Sequence, residues 1–201
     1  MKAKVGAVIL AAGSARRMGR QKLLLPLAGV PLLAHVLKTV QEMPWAACLA
    51  VIGQPQAELS RLCRNYQIPA VFNAARETGQ ASSVKLAVET LPEPLDGILF
   101  FPGDQPLVSK VLIEAIVSQF EQADNDKAII VPGYQGRRYS PVLFGSHWRS
   151  HFAGLKGDTG GRQIIKSWPE WVKELDWPDP SPFYDADTWE DYLRLKQLLA
   201  T

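Results

Sequence analysis

A basic turn near the start of the chain has the composition of a phosphate-binding segment. It runs from Ala11 to Lys22, and the small residues Ala11, Ala12 and Gly13 leave its main chain open to close approach by a ligand. Consecutive N–H groups in such a turn can bind an anion. The spacing matches neither a P-loop nor a dinucleotide fingerprint, because five residues separate Gly13 from Gly19 and no Lys-Ser/Thr pair follows. We therefore predict a triphosphate-binding turn of another type, whose cations are Arg16, Arg17, Arg20 and Lys22.

An acidic residue follows the most apolar segment of the chain. Gly97–Phe101 reads GILFF and leads directly into Pro102-Gly103-Asp104-Gln105-Pro106. Open α/β sheets bind ligands beyond the carboxyl ends of their strands, and Mg²⁺ is commonly held by one or two carboxylates together with phosphate oxygens and water. We predict that Asp104 binds a metal ion and that Gly103 allows a nucleotide to approach. A turn aspartate that accepts hydrogen bonds from its own backbone is the alternative.

A second acidic segment comes late in the chain and reads Asp185-Ala186-Asp187-Thr188. Thr188 is the expected N-cap of a final helix, and acidic residues are favoured in the first turn that follows. Helix capping alone would account for this composition. By itself, the segment is therefore a weaker indication of a metal ligand than Asp104.

Short apolar runs alternate with amphipathic helices along most of the chain. Ala3–Leu10 and Gly97–Phe101 have the apolar composition of buried parallel strands, and Ser109 is the expected N-cap of a helix to about Ala123. This alternation predicts βαβ units and an α/β fold, with a mostly parallel Rossmann-like sheet. We also predict a helix over Ser82–Leu91, capped by Ser82, and a strand over Arg138–Phe144 that could be antiparallel.

Bulk composition limits the classes of partner. The 201 residues suit one domain over residues 1–201, and 22 basic against 20 acidic residues give a formal net charge of +2. We therefore expect no nucleic acid polymer as a partner. No apolar stretch approaches the ~20 residues of a membrane span, and Cys48 and Cys63 lack metal-ligand spacing. We expect a cytoplasmic protein that binds no membrane and keeps both thiols reduced.

Two of these segments resemble known motifs. Leu10–Lys22, which reads Leu-Ala-Ala-Gly-x-x-x-Arg-Met-Gly-x-x-Lys, is similar to the signature of the nucleotide-diphospho-sugar transferase superfamily, and the Gly-Asp-x-Pro of 103–106 resembles its metal motif. The closest resemblance is to the MobA-like, molybdenum cofactor branch. Its cytidylyltransferases share Ala-Ala-Gly, whereas its guanylyltransferases more often have Gly-Gly at positions equivalent to 12–13. The resemblance implies a three-layer α/β/α sandwich and a nucleotidyltransferase that uses Mg²⁺ or Mn²⁺.

In that branch a nucleoside monophosphate, CMP in the cytidylyltransferases, passes from CTP or another nucleoside triphosphate to a molybdopterin-type acceptor. Pyrophosphate is released, and a molybdenum hydroxylase is the implied receiver of the product. The residues 185–191 also resemble the Asp-x-Asp-Thr-Pro-Glu-Asp element of the superfamily, which implies that Asp187 is a second metal ligand beside Asp104. The implied catalytic residues are Arg17, Lys22 and Asp104.

The resemblance also assigns binding residues. The turn residues Leu10, Ala11, Ala12 and Gly13 would contact the base and ribose, and Arg17 and Lys22 the phosphates. The segment 73–83 would line the same pocket through Asn73, Gly79, Ser82 and Ser83. The glycine-rich loop 155–162 would bind the acceptor through Asp158, Gly160 and Arg162.

Base and acceptor stay open at this stage. Tyr139-Ser140-Pro141 stands where the cytidylyltransferase branch typically has Gly-His-Pro, which puts the acceptor in doubt. A guanylyl- or other nucleotidyltransferase acting on a different small phosphorylated acceptor is one alternative. A non-catalytic cofactor-binding chaperone for a molybdoenzyme is another.

Overall fold

The computed structural model describes residues 2–13 and 21–200. Arg16, Arg17 and Arg20 of the basic turn lie outside the described residues, so the structure does not bear on their predicted roles.

The described residues form an eight-stranded sheet and a separate two-stranded hairpin. The strands are β1 (Val5–Ala11), β2 (Pro26–Leu27), β3 (Val30–Pro31), β4 (Ala47–Ile52), β5 (Ala70–Phe72), β6 (Gly97–Pro102), β7 (Ile129–Tyr134), β8 (Arg137–Arg138), β9 (Val142–Gly145) and β10 (Val172–Asp176). Across the large sheet the order is β10-β7-β9-β6-β1-β4-β5, with β8 paired to β7. The pairs β6–β1, β1–β4, β4–β5 and β10–β7 are parallel. Every pair in this sheet that includes β8 or β9 is antiparallel.

Helices cover both faces of this sheet. They are α1 (Leu32–Gln41), α2 (Gln56–Asn65), α3 (Gln80–Thr90), α4 (Lys110–Ala123), α5 (Arg149–Phe152), α6 (Arg162–Ser167) and α7 (Trp189–Leu198). Successive residues of a strand face opposite sides. Accordingly, Ala7 and Ile9 of β1 join a core with α1, α2, α4 and α7, whereas Val8 joins a second core with α3, α5 and α6. The predicted three-layer α/β/α sandwich is confirmed. Within the described ranges, every helix is too short or too polar to cross a bilayer.

The strand order places a ligand crevice beside β1. The chain runs from β1 to β4 and β5 on one side and then returns to β6 on the other, so the direction of winding reverses between β1 and β6. Ligands of open α/β sheets bind at such a reversal, outside the carboxyl ends of the strands. Because β9 is antiparallel to β6, its first residue Val142 lies beside Phe100, close to that same edge.

The predicted strand over 138–144 is wrong in one respect. It consists of two short strands, β8 and β9, which are separated by Tyr139, Ser140 and Pro141. Pro141 has no N–H to donate to a β-ladder, and the ring of Tyr139 stacks on Phe183 with centroids 4.6 Å apart. This interruption frees Ser140 from the sheet hydrogen-bonding pattern and places it at the edge of the crevice.

Two local predictions also need correction. Helix α3 begins at Gln80, two residues before the predicted start, and Gly79 rather than Ser82 is its N-cap. The hairpin of β2 and β3 was not predicted. Its two turn residues, Ala28 and Gly29, have φ angles of 47° and 85°, which is the left-handed backbone that a two-residue hairpin turn requires.

Candidate active site

Three charged side chains from distant parts of the chain meet at the carboxyl edge of the sheet. Lys22 Nζ lies 2.5 Å from Oδ2 of Asp104 and 2.8 Å from Oδ1 of Asp187. The side chain of Lys22 is 14% exposed and that of Asp104 is 21% exposed, whereas Asp187 is 49% exposed. The structure thus brings together Lys22, Asp104 and Asp187, whose phosphate-binding and metal-binding roles stay predictions. Their sheltered position strengthens the charge interactions relative to those on an open surface.

Lys22 is held by its two neighbours in the chain. It begins a short 3₁₀ helix whose N-cap is Gln21, and Gln21 Oε1 accepts a hydrogen bond from Leu23 N. The amide of Gln21 also donates to the carbonyl of Gln54, at 2.6 Å, in the loop after β4. Leu23 is buried in the core. The hydrogen bonds of Gln21 and the burial of Leu23 therefore fix the backbone on either side of Lys22.

Asp104 owes its position to the close packing of two strand ends. Gly103 follows β6 and donates its N–H to the carbonyl of Leu10 at 3.0 Å. A Cβ on Gly103 would lie 3.0 Å from that carbonyl oxygen and 3.3 Å from Cα of Ala11. Glycine is thus required because the β1 and β6 ends approach each other closely. In this structure Gly103 is buried, so its predicted contribution to nucleotide binding would act through the placement of Asp104.

Asp187 is positioned by a buried neighbour and by a helix cap. Ala186 is fully buried in the core beneath the segment. Thr188 is the N-cap of α7, as predicted, and forms a capping box with Asp191, in which each residue binds the backbone N–H of the other. The predicted capping and the predicted approach of Asp187 to the site are therefore both observed. Thr188 caps the helix, and its neighbour Asp187 contacts Lys22.

The electrostatics of the cluster are dominated by its carboxylates. Burial of Lys22 lowers its pKa, but the charges and hydrogen bonds of Asp104 and Asp187 raise it, and the net pKa is above the ordinary lysine value. Burial raises the pKa of Asp185 to about 6, and the negative charges of Asp104 and Asp187 act in the same direction. A site that gathers three carboxyl groups in this way attracts a cation.

Two cavities adjoin this cluster and share part of their walls. The first, of about 350 Å³, lies between Ala12, Gly13 and Lys22, and we call it the turn cavity. The second, of about 330 Å³, lies against β6 and β9, and we call it the aromatic cavity because Phe100, Phe144 and Phe152 line it. Asp104 and Asp187 border both cavities, together with Leu10, Gln80 and Pro102. The carboxylates therefore stand between two compartments, each large enough for part of a small ligand.

The turn cavity contains most of the residues predicted to bind a nucleotide. Its walls include Leu10, Ala12, Gly13, Lys22, Gly79 and Ser83. Ala11, by contrast, is fully buried in the core. The cavity thus has small residues and main chain on one side and a lysine on the other, as a phosphate-bearing ligand requires.

Asn73 and Ser82 have supporting positions behind this wall. Asn73 is 2% exposed, and its Nδ2 donates to the hydroxyl oxygens of Ser82 and Ser83 at 2.8 and 2.9 Å. Its Oδ1 accepts from Ala75 N at 2.9 Å. The hydroxyl of Ser82 donates to the carbonyl of Gly79. These hydrogen bonds fix the start of α3, so Asn73 and Ser82 would shape the cavity rather than contact its occupant.

The loop 157–161 is packed onto the start of α3. Asp158 accepts a hydrogen bond from Gln80 N at 3.1 Å, and the carbonyl of Gly157 accepts one from Ala81 N at 2.9 Å. Gly79, with a φ of 108°, leaves the space that this contact needs, because a Cβ there would lie 2.8 Å from Oδ1 of Asp158. The predicted acceptor residue Asp158 therefore caps a helix and borders the turn cavity.

The other two predicted acceptor residues, Gly160 and Arg162, have different positions: Gly160 packs inside the protein, and Arg162 lines a cavity. Gly160 is buried, and its positive φ of 48° places it against Gln80, whose Oε1 would lie 2.9 Å from a Cβ at that position. Arg162 is exposed and lines the aromatic cavity, which is where a second substrate would lie beside the carboxylates. Of the three, Arg162 is the one placed to contact an acceptor directly.

Two lining residues were missed in the sequence. Arg76 lies within the segment 73–83 and borders the turn cavity. A cation in a segment already assigned to nucleotide binding was an available signal. Gln105 lines the aromatic cavity, is 6% exposed, and has a buried Oε1 without a hydrogen-bond partner in the described part of the chain. Its place beside Asp104 in the metal motif was a signal too.

The carboxylate cluster fits a cation that arrives with a ligand. Asp104 and Asp187 both bind the ammonium group of Lys22, so their oxygens already face one positive charge. Across residues 2–13 and 21–200, no group of three or more His, Cys, Asp or Glu side chains is arranged to hold a metal ion. Mg²⁺ commonly takes one or two carboxylates and completes its shell with phosphate oxygens and water. The residues present therefore suit a Mg²⁺ ion that enters with a polyphosphate.

The fold and the site together define a nucleotidyltransferase of the α/β class. Residues 7–173 match the MobA-like NTP transferase domain, and the chain belongs to that family. It is 30% identical to the purine catabolism protein PucB of Bacillus subtilis over an alignment of 202 positions, which covers 96% of this chain and 96% of PucB.

Solved structures show the same fold. The Rv0371c homologue from Mycobacterium sp. strain JC1 is 26% identical, covers 100% of this chain and 98% of its own, and has a TM-score of 0.86. Rv0371C of Mycobacterium tuberculosis, in a crystal structure with manganese, is 24% identical, with coverage of 96% and 98% and a TM-score of 0.78.

Proposed function

We propose that this protein transfers CMP from CTP to a molybdopterin-type acceptor, with release of pyrophosphate and with Mg²⁺ or Mn²⁺ as the metal ion. The observation that carries the proposal is the position of Asp104 and Asp187 between the turn cavity and the aromatic cavity. A transferase must hold donor and acceptor on either side of the reacting phosphorus, and this arrangement supplies one compartment for each.

The choice of CMP and of the acceptor rests on the sequence resemblance and on the second cavity. Ala11-Ala12-Gly13 is the cytidylyltransferase form of the turn. The three phenylalanine rings of the aromatic cavity have centroids 5.2 to 6.0 Å apart. Such a wall suits a flat ring system, and Arg162 at its rim suits a phosphate group. A molybdopterin-type acceptor has both.

The proposed reaction is an in-line displacement at the α-phosphorus of the triphosphate. A phosphate oxygen of the acceptor forms a bond to this phosphorus, and the bond to the bridging oxygen of the β-phosphate breaks. Pyrophosphate leaves with the electron pair. Such a reaction depends on positioning and on charge neutralisation rather than on a covalent catalyst.

The protein side chains divide these tasks. Asp104 and Asp187 would hold the metal ion, as carboxylates do in other phosphoryl-transfer sites. A bound Mg²⁺ supplies Lewis-acid stabilisation of charge on the phosphate oxygens. Lys22 would then offset the negative charge of the leaving pyrophosphate. The manganese complex of Rv0371C supports a divalent metal in this fold.

Pyrophosphate release tests the proposal directly. We would measure it with each of CTP, GTP, ATP and UTP, with and without molybdopterin and Mg²⁺, and compare Asp104→Asn with the wild type. The substitution preserves side-chain volume, and loss of one such preorganised contact is expected to lower the rate by about 10²-fold or more. Asp179→Asn is the matched control, since Asp179 binds Ser181 in an exposed turn.

Three results would count against the proposal. Near-normal turnover by Asp104→Asn would remove the metal role of that residue. Acceptor-dependent release with another phosphorylated compound, but not with molybdopterin, would replace the acceptor. Tight binding of molybdopterin without magnesium-dependent turnover would favour a cofactor-binding chaperone.

A further inference from the structure

Arg76 is the one cation of the segment 73–83, and it borders the turn cavity. It begins a short 3₁₀ helix, and its side chain is 24% exposed. Its Nη2 atom lies 3.3 Å from Oε1 of Glu77. An arginine head group has five N–H donors in a rigid fork, and the contact of Nη2 with Glu77 engages only part of that fork. Arg76 is therefore a partly buried cation at the wall of the turn cavity, with N–H donors available to an occupant of that cavity.

The surrounding residues fix where this side chain lies. Asn73 N donates to the carbonyl of Ile52, which is the last residue of β4, and thereby ties the segment to the end of that strand. A Cβ on Gly53 would lie 3.1 Å from Cδ of Arg76 and 2.8 Å from the carbonyl oxygen of Ala12. The arginine stem therefore passes over the end of β4, beside the Ala12–Gly13 turn.

This position is well separated from the reacting centre. Asp104 follows β6, whereas Arg76 lies over the end of β4, and β1 stands between those two strands. Two strand spacings amount to about 10 Å. If the α-phosphate is at Asp104 and Asp187, a nucleotide that extends along the turn cavity brings its base towards Arg76. The small residues Ala12 and Gly13 line the path between them.

The chemistry of the guanidinium group limits which base it can bind well. Arginine has donors only and binds best to two adjacent acceptor atoms. Guanine offers O6 and N7 as such a pair, and cytosine offers O2 and N3, whereas the corresponding edge of adenine places an amino donor beside its acceptor. Uracil has an N–H between its two carbonyl groups. Cytosine and guanine therefore match this side chain, and adenine and uracil do not.

We infer that Arg76 is the base-selecting residue of the site and that it restricts the donor nucleotide to CTP or GTP. The inference rests on the proposed function, because it assumes that the donor lies in the turn cavity. Arg76 would thereby exclude ATP and UTP as donors, and it is not one of the residues that the family resemblance assigns to nucleotide binding.

Equilibrium binding of CTP, GTP, ATP and UTP in the presence of Mg²⁺ tests this inference without requiring turnover. We would compare the wild type with Arg76→Gln, Arg76→Lys and the control Arg61→Gln, which removes an exposed cation outside both cavities. Thermal unfolding would check that each variant is folded. The wild type should bind CTP or GTP at least about 10-fold more tightly than ATP and UTP, because a bidentate contact provides roughly 10- to 100-fold discrimination.

Arg76→Gln and Arg76→Lys should both abolish this preference. Lysine keeps the charge but lacks the planar fork, so loss of selectivity in Arg76→Lys would identify geometry rather than charge as the cause. Affinity for ATP and UTP should change by less than about 3-fold, and Arg61→Gln should behave as the wild type. Inorganic tripolyphosphate should bind equally to wild type and Arg76→Gln.

Other results would overturn the inference. An equal loss of affinity for all four nucleotides and for tripolyphosphate would make Arg76 a phosphate ligand. An unchanged preference in Arg76→Gln, or a wild-type preference for ATP or UTP, would remove its role. Selective binding of CTP or GTP without pyrophosphate release would reject the proposed function alone, whereas failure to bind any of the four would reject both.

Discussion

Lys22 Nζ lies 2.8 Å from Oδ1 of Asp187, although 165 positions separate the two residues along the chain. The same nitrogen lies 2.5 Å from Asp104. The ammonium group thus lies between the two carboxylates that we propose as ligands of the metal ion. A cation entering the site has to compete with this lysine, and a triphosphate that draws Lys22 towards its own oxygens would relieve the competition.

The first prediction concerns metal binding to the protein alone. Lys22→Gln removes the competing charge, so Mn²⁺ should bind about 10-fold more tightly without nucleotide, which corresponds to ~1.4 kcal/mol. Nucleotide affinity should fall in the same variant, because a phosphate ligand is lost. Electron paramagnetic resonance of free Mn²⁺ measures the first quantity, and Lys38→Gln, on an exposed face of α1, is the control. Unchanged or weaker Mn²⁺ binding by Lys22→Gln would show that the lysine does not compete.

The second prediction is that Mn²⁺ binding depends on the N-cap of α7 and not simply on the stability of that helix. Thr188→Ala removes the capping hydroxyl and should lower stability by about 1 kcal/mol. It should also weaken Mn²⁺ binding in the presence of nucleotide, because Asp187 immediately precedes the cap. Leu193→Gly, at an exposed position of α7, should destabilise the helix by a similar ~1 kcal/mol and leave Mn²⁺ affinity unchanged. Equal Mn²⁺ affinities in both variants and the wild type would contradict the link between cap and site.

The third prediction concerns Asp158. Its carboxylate caps α3 through Gln80 N, and removal of a capping side chain lowers stability by about 1 kcal/mol, or roughly 2–4 °C in the unfolding midpoint of a chain of this size. Asp158→Ala should show this loss, and Asp158→Asn should retain most of the stability because Asn is also a good cap. Calorimetry measures both. A raised KM for the acceptor with unchanged stability in Asp158→Ala would instead support direct acceptor binding.

The fourth prediction concerns the two thiols. Burial raises the pKa of Cys48 to about 12 and that of Cys63 to about 11. Because the thiolate is the reactive form, neither residue should react rapidly with a disulfide reagent at pH 8 in the folded protein, and both should react in denaturant. In the unfolded chain these thiols ionise at their ordinary pKa, near 9. Stability should therefore fall as pH rises from about 9 towards 12. Rapid labelling of the native protein would contradict the burial of these groups.

The parts of the fold that depend on local chemistry could be predicted from the sequence. Ser109 caps α4, and Thr188 caps α7, because each hydroxyl binds a backbone N–H only three residues away. The approach of Asp104 to Lys22 was predictable for a different reason, since the carboxyl ends of parallel strands lie along one edge. Contacts between distant residues that neither a motif nor the strand order indicates were not predictable. Asp158 contacts Gln80 across 78 positions, and nothing in its own segment identifies that partner.

The direction in which strand β9 pairs with its neighbours was also not predictable from the sequence. The apolar residues of 142–145 suit a parallel or an antiparallel strand equally, and only insertion of β9 between β6 and β7 decides the matter. The residues around Ala28 formed too short a pattern to predict a hairpin. The role that we infer for Arg76 depends on its position over the end of β4, which its local sequence does not show.

The late position of Asp187 has a consequence for biosynthesis. Lys22 and Asp104 leave the ribosome well before Asp187, and in the folded structure Tyr192 of the final helix donates a hydrogen bond to the carbonyl of Pro26. A nascent chain that has emerged as far as Asp176 contains the residues of every strand of the large sheet described here, yet it still lacks one of the two carboxylates. With Asp187 as a metal ligand, as proposed, the transfer reaction has to wait until translation has passed this residue.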